Sequence, residues 1–398
     1  MTVDERRLEA AHAFLQRGVD DGAFGGAVAL VDYQGQTVAH WAVGYAEKEP
    51  HERPMLRDSI FDLASLTKPV AGASAALLLL EDGVWSLDDA VARFLPEFGV
   101  HGKQEITLRH LLTHSSGISG WAATYCSARE PRQALEFLCA LQLGYAPGTD
   151  VQYSDLGYSL IGHLVRRVTG AGLDRLLSDR VWRPLGMDDT AYCPAAELRE
   201  RIAATERGNR YEQAMVANLG EAFDGWRDPD VVQVGEVNDG NTFYALGGVS
   251  SHAGLFSTAS DLLRFGRMYL TGGGGVLSAA TIAEATSRQT DGLSKSRGLG
   301  WELVGKGRQR REEWAPTAAA RKVHGAARGS LPLGRAYGDL LSGTAYGHTG
   351  FTGTSMAIDP ERELVIILLT NRTHPRADNE LLSALRPRFY NMVVASLR

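Results

Sequence analysis

"GTSMAIDPERELVIILLTNR", residues 353–372, reads as two strands around a turn. The first runs to Ile358, Asp359-Pro360-Glu361-Arg362 carries turn chemistry, and 364–369 is a strong aliphatic strand. Near the other end of the chain, "GGAVALVDYQGQTVAHWAVGYAE" (25–47) sets two Val- and Ala-rich runs on either side of Gln34-Gly35, the pattern of a β-hairpin. The text between these ends is mostly helical. "KPVAGASAALLLLEDG", "ITLRHLLTHSSGI", "DLGYSLIGHLVRRVTG" and "STASDLLRFGRMYLTGGGG" each read as helix ending near glycine, the last behind a Ser or Thr cap. The tail "DNELLSALRPRFYNMVVASL" returns to helix, with Pro387 expected to interrupt or bend it. Strands at both chain ends with helices between them imply an α+β fold. One antiparallel sheet is assembled from both termini and flanked by helices, and a helical insertion fills the middle.

Bulk properties narrow the function. With 398 residues, 44% hydrophobic and 22% charged, the chain has ordinary globular composition and material for a sizeable core. A net charge of -6 offers no basic field for nucleic acid. The local exception, "GKGRQRREEW" at 305–314 with Arg321 and Lys322, reads as a solvated loop; the stretch 307–339 looks like an insertion, either a lid or rim over the cleft or a disordered segment. Cys126, Cys139 and Cys193 are an odd set without metal-ligand spacing, so neither a disulfide framework nor a zinc site is expected. The N-terminal residues carry charges where a secretory peptide needs an apolar core, and no apolar run is long enough to span a bilayer. The expectation is a cytoplasmic protein with no membrane partner. Nothing in the sequence sets an oligomeric state.

Chemistry concentrates in three segments. In "FDLASLTKPVAG" (61–72), Ser65 and Lys68 stand three apart, one turn along a helix face. Pro69 is tolerated only near a helix start, which puts Ser65 beside a helix N-terminus, where backbone amides favour a developing oxyanion. A serine needs a base within reach. In "VQYSDLGY" (151–158), Tyr153 sits where a loop meets a helix, and a neighbouring lysine ammonium is expected to lower its pKa toward a usable value. In "AYGHTGFTGTSMAIDP" (345–360), His348-Thr349-Gly350 leads to a strand expected to begin near Gly353, an edge strand that a substrate backbone could approach. The Phe351 amide could then add an oxyanion donor.

The order Ser-x-x-Lys, Tyr-Ser-Asp, His-Thr-Gly resembles the serine β-lactamase and penicillin-binding protein superfamily. More closely, it resembles the class C β-lactamase-like branch that includes esterases and D-aminopeptidases. "FDLASLTKPV", "LLTHSSGI", "YSDLGYSLIG", "GGVSSHAGLFSTASDL" and "GHTGFTGTS" all read like that branch, in its usual order. The resemblance implies a sheet domain from both chain ends (1–80 and 285–398), a mainly helical domain (81–284) and an active site in the cleft between them. It implies Ser65 as nucleophile, Lys68 as its proton partner and Tyr153 as general base and acid. Asp155, His348, Thr349, Gly350 and Phe351 would contact substrate, with the amides of Ser65 and Phe351 as oxyanion hole. No metal or organic cofactor is expected. His114 and His252 lie in matching segments and read as structural.

Two positions depart from the family's pattern. Asp155 stands where asparagine is frequent, and an ionised carboxylate near Lys68 should hold that lysine protonated. His348 stands where β-lactamases have lysine, which weakens an anchor for a substrate carboxylate near neutral pH. The expected activity is therefore hydrolysis of small esters or amides by way of an acyl-enzyme. D-aminopeptidase, weak β-lactamase or DD-carboxypeptidase action is the alternative. An α/β-hydrolase would show Gly-x-Ser-x-Gly, which the chain lacks. A catalytically silent ligand-binding or sensor protein is the rival from another class, but no motif looks broken.

Overall fold

The computed structural model describes residues 2–304 and 336–398; most of the Arg-rich stretch expected to form a lid or rim lies outside the described residues. Among the described residues ten strands follow in chain order: β1 Gly26–Tyr33, β2 Gln36–Glu47, β3 Arg53–Pro54, β4 Phe61–Asp62, β5 Ala191–Tyr192, β6 Leu255–Ser257, β7 Glu302–Leu303, β8 Tyr346–Thr349, β9 Ser355–Asp359 and β10 Leu364–Thr370. Seven of them make one antiparallel sheet in the order β3-β2-β1-β10-β9-β8-β7. The two ends of the chain thus meet at its centre, where β1 pairs β10 with Ala29 opposite Leu368 and Val31 opposite Ile366.

The period of two along these central strands builds a core on each face. Ala27, Ala29 and Val31, with Leu364, Ile366 and Leu368, pack against Leu8, Leu15, Phe389 and Val393 of the terminal helices Glu5–Asp20 and Leu381–Ser396. Val28, Leu30, Val365, Ile367 and Leu369 point the other way. They join Leu77 and Leu78 of helix Ser74–Glu81 and Leu262 and Phe265 of helix Ala259–Leu270. Helices therefore cover both faces of the sheet.

Several local expectations need correction. Pro387 does not interrupt the C-terminal helix, which runs unbroken from Leu381 to Ser396. Only Leu108–Leu112 of the "ITLRHLLTHSSGI" segment is α-helical. His348 and Thr349 themselves end a strand, β8, and the strand expected from near Gly353 follows at Ser355. Nor is β8 the sheet edge along its whole length. The two-residue β7 covers Tyr346 and Gly347 and stops before His348. A second sheet, in the order β4-β6-β5, lies inside stretches that read as helix or loop. Its role is local: β4 leads directly into the Ser65 turn. Among the described residues, no helix is long and apolar enough to cross a membrane.

Candidate active site

Ser65 lies in a single 3-10 turn, Ala64–Leu66, after β4 and before the helical stretch that begins at Lys68. That stretch opens as a wide π-type coil, Lys68–Ala73, with Pro69 in its first turn where a missing amide proton costs nothing. It tightens into the α-helix Ser74–Glu81. The turn is pinned from the second sheet: the Leu63 amide donates to the Leu255 carbonyl at 2.9 Å, and the Leu255 amide donates to Thr67 Oγ1 at 3.2 Å. Its neighbours are buried, while Ser65 itself is half-buried.

Lys68 is 0% exposed and spends all three of its protons. Nζ donates to Ser65 Oγ at 3.0 Å, to Asp155 Oδ1 at 2.6 Å and to the His252 carbonyl at 3.1 Å. Burial pushes its pKa down, but the Asp155 carboxylate and Tyr153 more than offset this, and the net direction is up. Lys68 is thus an ammonium at neutral pH, as the Asp155 substitution led us to expect.

Tyr153 arrives from the loop before helix Asp155–Thr169. Ser154 caps that helix, its Oγ accepting from the Gly157 amide at 2.8 Å and donating to the Ser119 carbonyl at 2.7 Å. The Ser154 amide donates to His114 Nδ1 at 3.0 Å, and the His114 ring packs at a tilt against Tyr153 with centroids 4.4 Å apart. Tyr153 also meets the Lys68 ammonium, 4.8 Å from the ring centroid, and the His348 ring at 6.1 Å. The phenol hydroxyl lies near enough to Lys68 and Ser65 for both to favour its ionised form. Here one expectation fails: the Tyr153 pKa is raised, because burial outweighs the attraction of Lys68. The resting site therefore holds a neutral phenol beside an ammonium.

The third segment is stitched to the first. Thr352 Oγ1 donates to the Asp62 carbonyl at 2.7 Å and Thr354 Oγ1 to the Leu63 carbonyl at 2.8 Å. Gly350 sits so close that a Cβ there would lie 2.2 Å from the Leu63 oxygen. This contact brings the Thr349-Gly350-Phe351 stretch beside the Ser65 turn. His348 is buried, with Nδ1 at 2.8 Å from the Thr349 carbonyl. Burial, reinforced by the charges of Lys68 and Arg297, holds its pKa well below the ordinary imidazole value, so it is neutral at neutral pH. Phe351 is exposed, and Arg372 Nε donates to its carbonyl at 3.0 Å.

Three contributors were not legible as site residues. The His252 carbonyl holds Lys68, while its ring is fixed by Ser250 Oγ at 2.6 Å and Asp239 at 3.1 Å. His114 is structural in the sense expected, but the structure it supports is Tyr153. Arg297 was missed outright. It is 3% exposed, its guanidinium carbon lies 5.8 Å from the Tyr153 ring centroid, Nε has no hydrogen-bond partner, and no carboxylate among the described residues is within ion-pairing distance. Only the cost of burying an unpaired charge would have singled it out, and that is invisible without coordinates. Among the described residues no group of three or more His, Cys, Asp or Glu side chains is arranged to hold a metal.

The family model described as Beta-lactamase matches residues 11–386. The chain belongs to the beta-lactamase family. It is an enzyme of the serine β-lactamase and penicillin-binding protein superfamily, as its motifs implied. Among relatives, it is 31% identical over 399 residues to a protein of Escherichia coli O157:H7 named "Putative D-alanyl-D-alanine carboxypeptidase", covering 94% of this chain and 84% of that one. It is 31% identical over 396 residues to the "N-acetylmuramyl-L-alanine amidase" of Bacillus subtilis (strain 168), covering 93% and 82%. The fold is similar to that of "EstCE1, a hydrolase with promiscuous acyltransferase activity", with a TM-score of 0.71, 21% identity and coverage of 98% and 99%.

Proposed function

We propose that this chain is an acyl hydrolase that works through an acyl-enzyme on Ser65. The observation that carries the reading is the Lys68 ammonium, donating to Ser65 Oγ at 3.0 Å with the Tyr153 hydroxyl beside both. In the reactive form Tyr153 is a phenolate stabilised by Lys68. It takes the Ser65 proton as Oγ attacks the substrate carbonyl carbon. The oxyanion is received by the amides of Ser65 and Phe351. The Tyr153 proton then passes to the leaving group, and water releases the acyl group by the same steps in reverse. Asp155 keeps Lys68 charged throughout; His348, Thr349 and Gly350 border the substrate. In this reading the substrate enters between residues 1–80 with 285–398 and residues 81–284.

Small esters and amides are the proposed substrates. A second reading, cleavage of peptides ending in a free carboxylate such as D-alanyl-D-alanine, is favoured by Arg297. A buried guanidinium beside Tyr153, with no carboxylate within ion-pairing distance among the described residues, supplies the permanent charge that His348 does not. The name of the E. coli relative fits this second reading, while that of the B. subtilis relative fits amide hydrolysis more broadly. Turnover of p-nitrophenyl acetate, a D-alanyl-D-alanine peptide and nitrocefin by purified protein tests both. Ester or peptide turnover that disappears in Ser65→Ala supports the proposal; parental rates in that variant overturn it.

A further inference from the structure

Ala64, the residue before Ser65, has φ of 46°, in the left-handed region that a non-glycine residue occupies at a cost. A local partner compensates it. Asp62 is 1% exposed, and its carboxylate reaches two residues forward, Oδ1 accepting the Ala64 amide at 2.8 Å. Oδ2 accepts the Asn238 amide at 2.7 Å. Asn238 is itself fixed, its Nδ2 donating to Glu206 Oε1 at 3.0 Å and its carbonyl accepting Asn209 Nδ2 at 2.8 Å. The next residue, Asp239, accepts the Thr242 amide at 2.7 Å and bonds the His252 ring at 3.1 Å. The His252 carbonyl in turn holds Lys68.

We propose that Asp62 is a positioning residue. It holds the Ser65 turn in its left-handed geometry and ties it to the Asn238–Asp239 segment that fixes His252, the carbonyl partner of Lys68. One carboxylate thereby sets Ser65 and Lys68 in register from two directions. The other ties on this turn run from Leu255 to the Leu63 amide and Thr67 Oγ1, and from Thr352 and Thr354 to the carbonyls of Asp62 and Leu63; they leave the Ala64 amide to Asp62 alone. The inference rests on Ser65 being the nucleophile, and its test is separable from that reading.

The experiment measures kcat, KM and thermal midpoint with p-nitrophenyl acetate for Asp62→Ala, Asp62→Asn, Ala64→Gly and the pair Asp62→Ala with Ala64→Gly. Displacing the nucleophile should lower kcat of Asp62→Ala by about tenfold to a hundredfold while KM moves by less than about threefold. Glycine accepts positive φ without strain, so Ala64→Gly in the Asp62→Ala background should restore kcat by about tenfold. Asp62→Asn keeps the shape but can accept only one of the two amides, and it carries the same rescue test if Asp62→Ala does not fold. Loss of thermal midpoint with unchanged kcat, or an Ala64→Gly effect identical in both backgrounds, overturns the positioning role. Failure of the nucleophile assignment shows elsewhere, as full activity in Ser65→Ala.

Discussion

Replacing Asp155 by asparagine tests how the site stores its protons. The carboxylate meets Lys68 at 2.6 Å; Lys68 is fully buried and the Asp155 side chain is 21% exposed. Two unit charges about 4 Å apart in an effective dielectric near 20 attract by about 4 kcal/mol. The exposed part of Asp155 is screened, and asparagine can still accept a hydrogen bond, so about 1.5–3 kcal/mol should be lost. The sign follows from what each group feels. Asp155 raises the pKa of Lys68 and of Tyr153 alike, so without it the pair gives up a proton at lower pH, whichever group it leaves. At about 1.4 kcal/mol per pH unit, the rising limb of kcat/KM should move acidward by about one to two units. The parent protein should show that limb with slope near one through neutral and alkaline pH, because its raised Tyr153 pKa keeps the phenolate a minor form that grows tenfold per pH unit. Stopped assays with blank-corrected p-nitrophenyl acetate from about pH 6 to 10 measure both. A limb that stays in place or moves alkaline in Asp155→Asn refutes this proton inventory.

Other outcomes test the remaining parts of the site. Arg297→Ala should raise KM for a peptide with a terminal carboxylate by about tenfold to a hundredfold, the worth of a charge-assisted hydrogen bond, and leave neutral esters within about twofold. Equal effects on charged and neutral substrates would remove Arg297 from substrate recognition. Gly350→Ala drives a Cβ to within 2.2 Å of the Leu63 oxygen and must push the two segments apart. Its kcat/KM should fall at least about a hundredfold, read together with the thermal midpoint, and near-parental activity would show that the segments need not touch.

The sheet was legible because its signal is long and redundant. Residues 364–369 and the hairpin around Gln34-Gly35 announce buried strands at both chain ends, and those strands do pair at the centre. The Ser65 turn was legible through Pro69, whose position fixes where the helix can start. The second sheet was not, because strands of two or three residues such as Phe61–Asp62 and Ala191–Tyr192 leave no periodicity to read. The Tyr153 pKa was misjudged for a related reason. The sequence shows its attractive neighbour, Lys68, but not the burial that His114 and His348 impose from remote segments. Arg297 and Asp62 escaped notice because their importance lies in what surrounds them: a buried guanidinium without an ion-pair partner among the described residues, and a left-handed alanine.

The central claim is that Ser65 becomes acylated, and mass spectrometry of the protein treated with a fluorophosphonate probe tests it most directly. We expect a single adduct, mapped by digestion to the peptide containing Ser65, absent in Ser65→Ala and formed faster as pH rises. An adduct on another residue, or none on a protein that still turns over esters, would contradict the account.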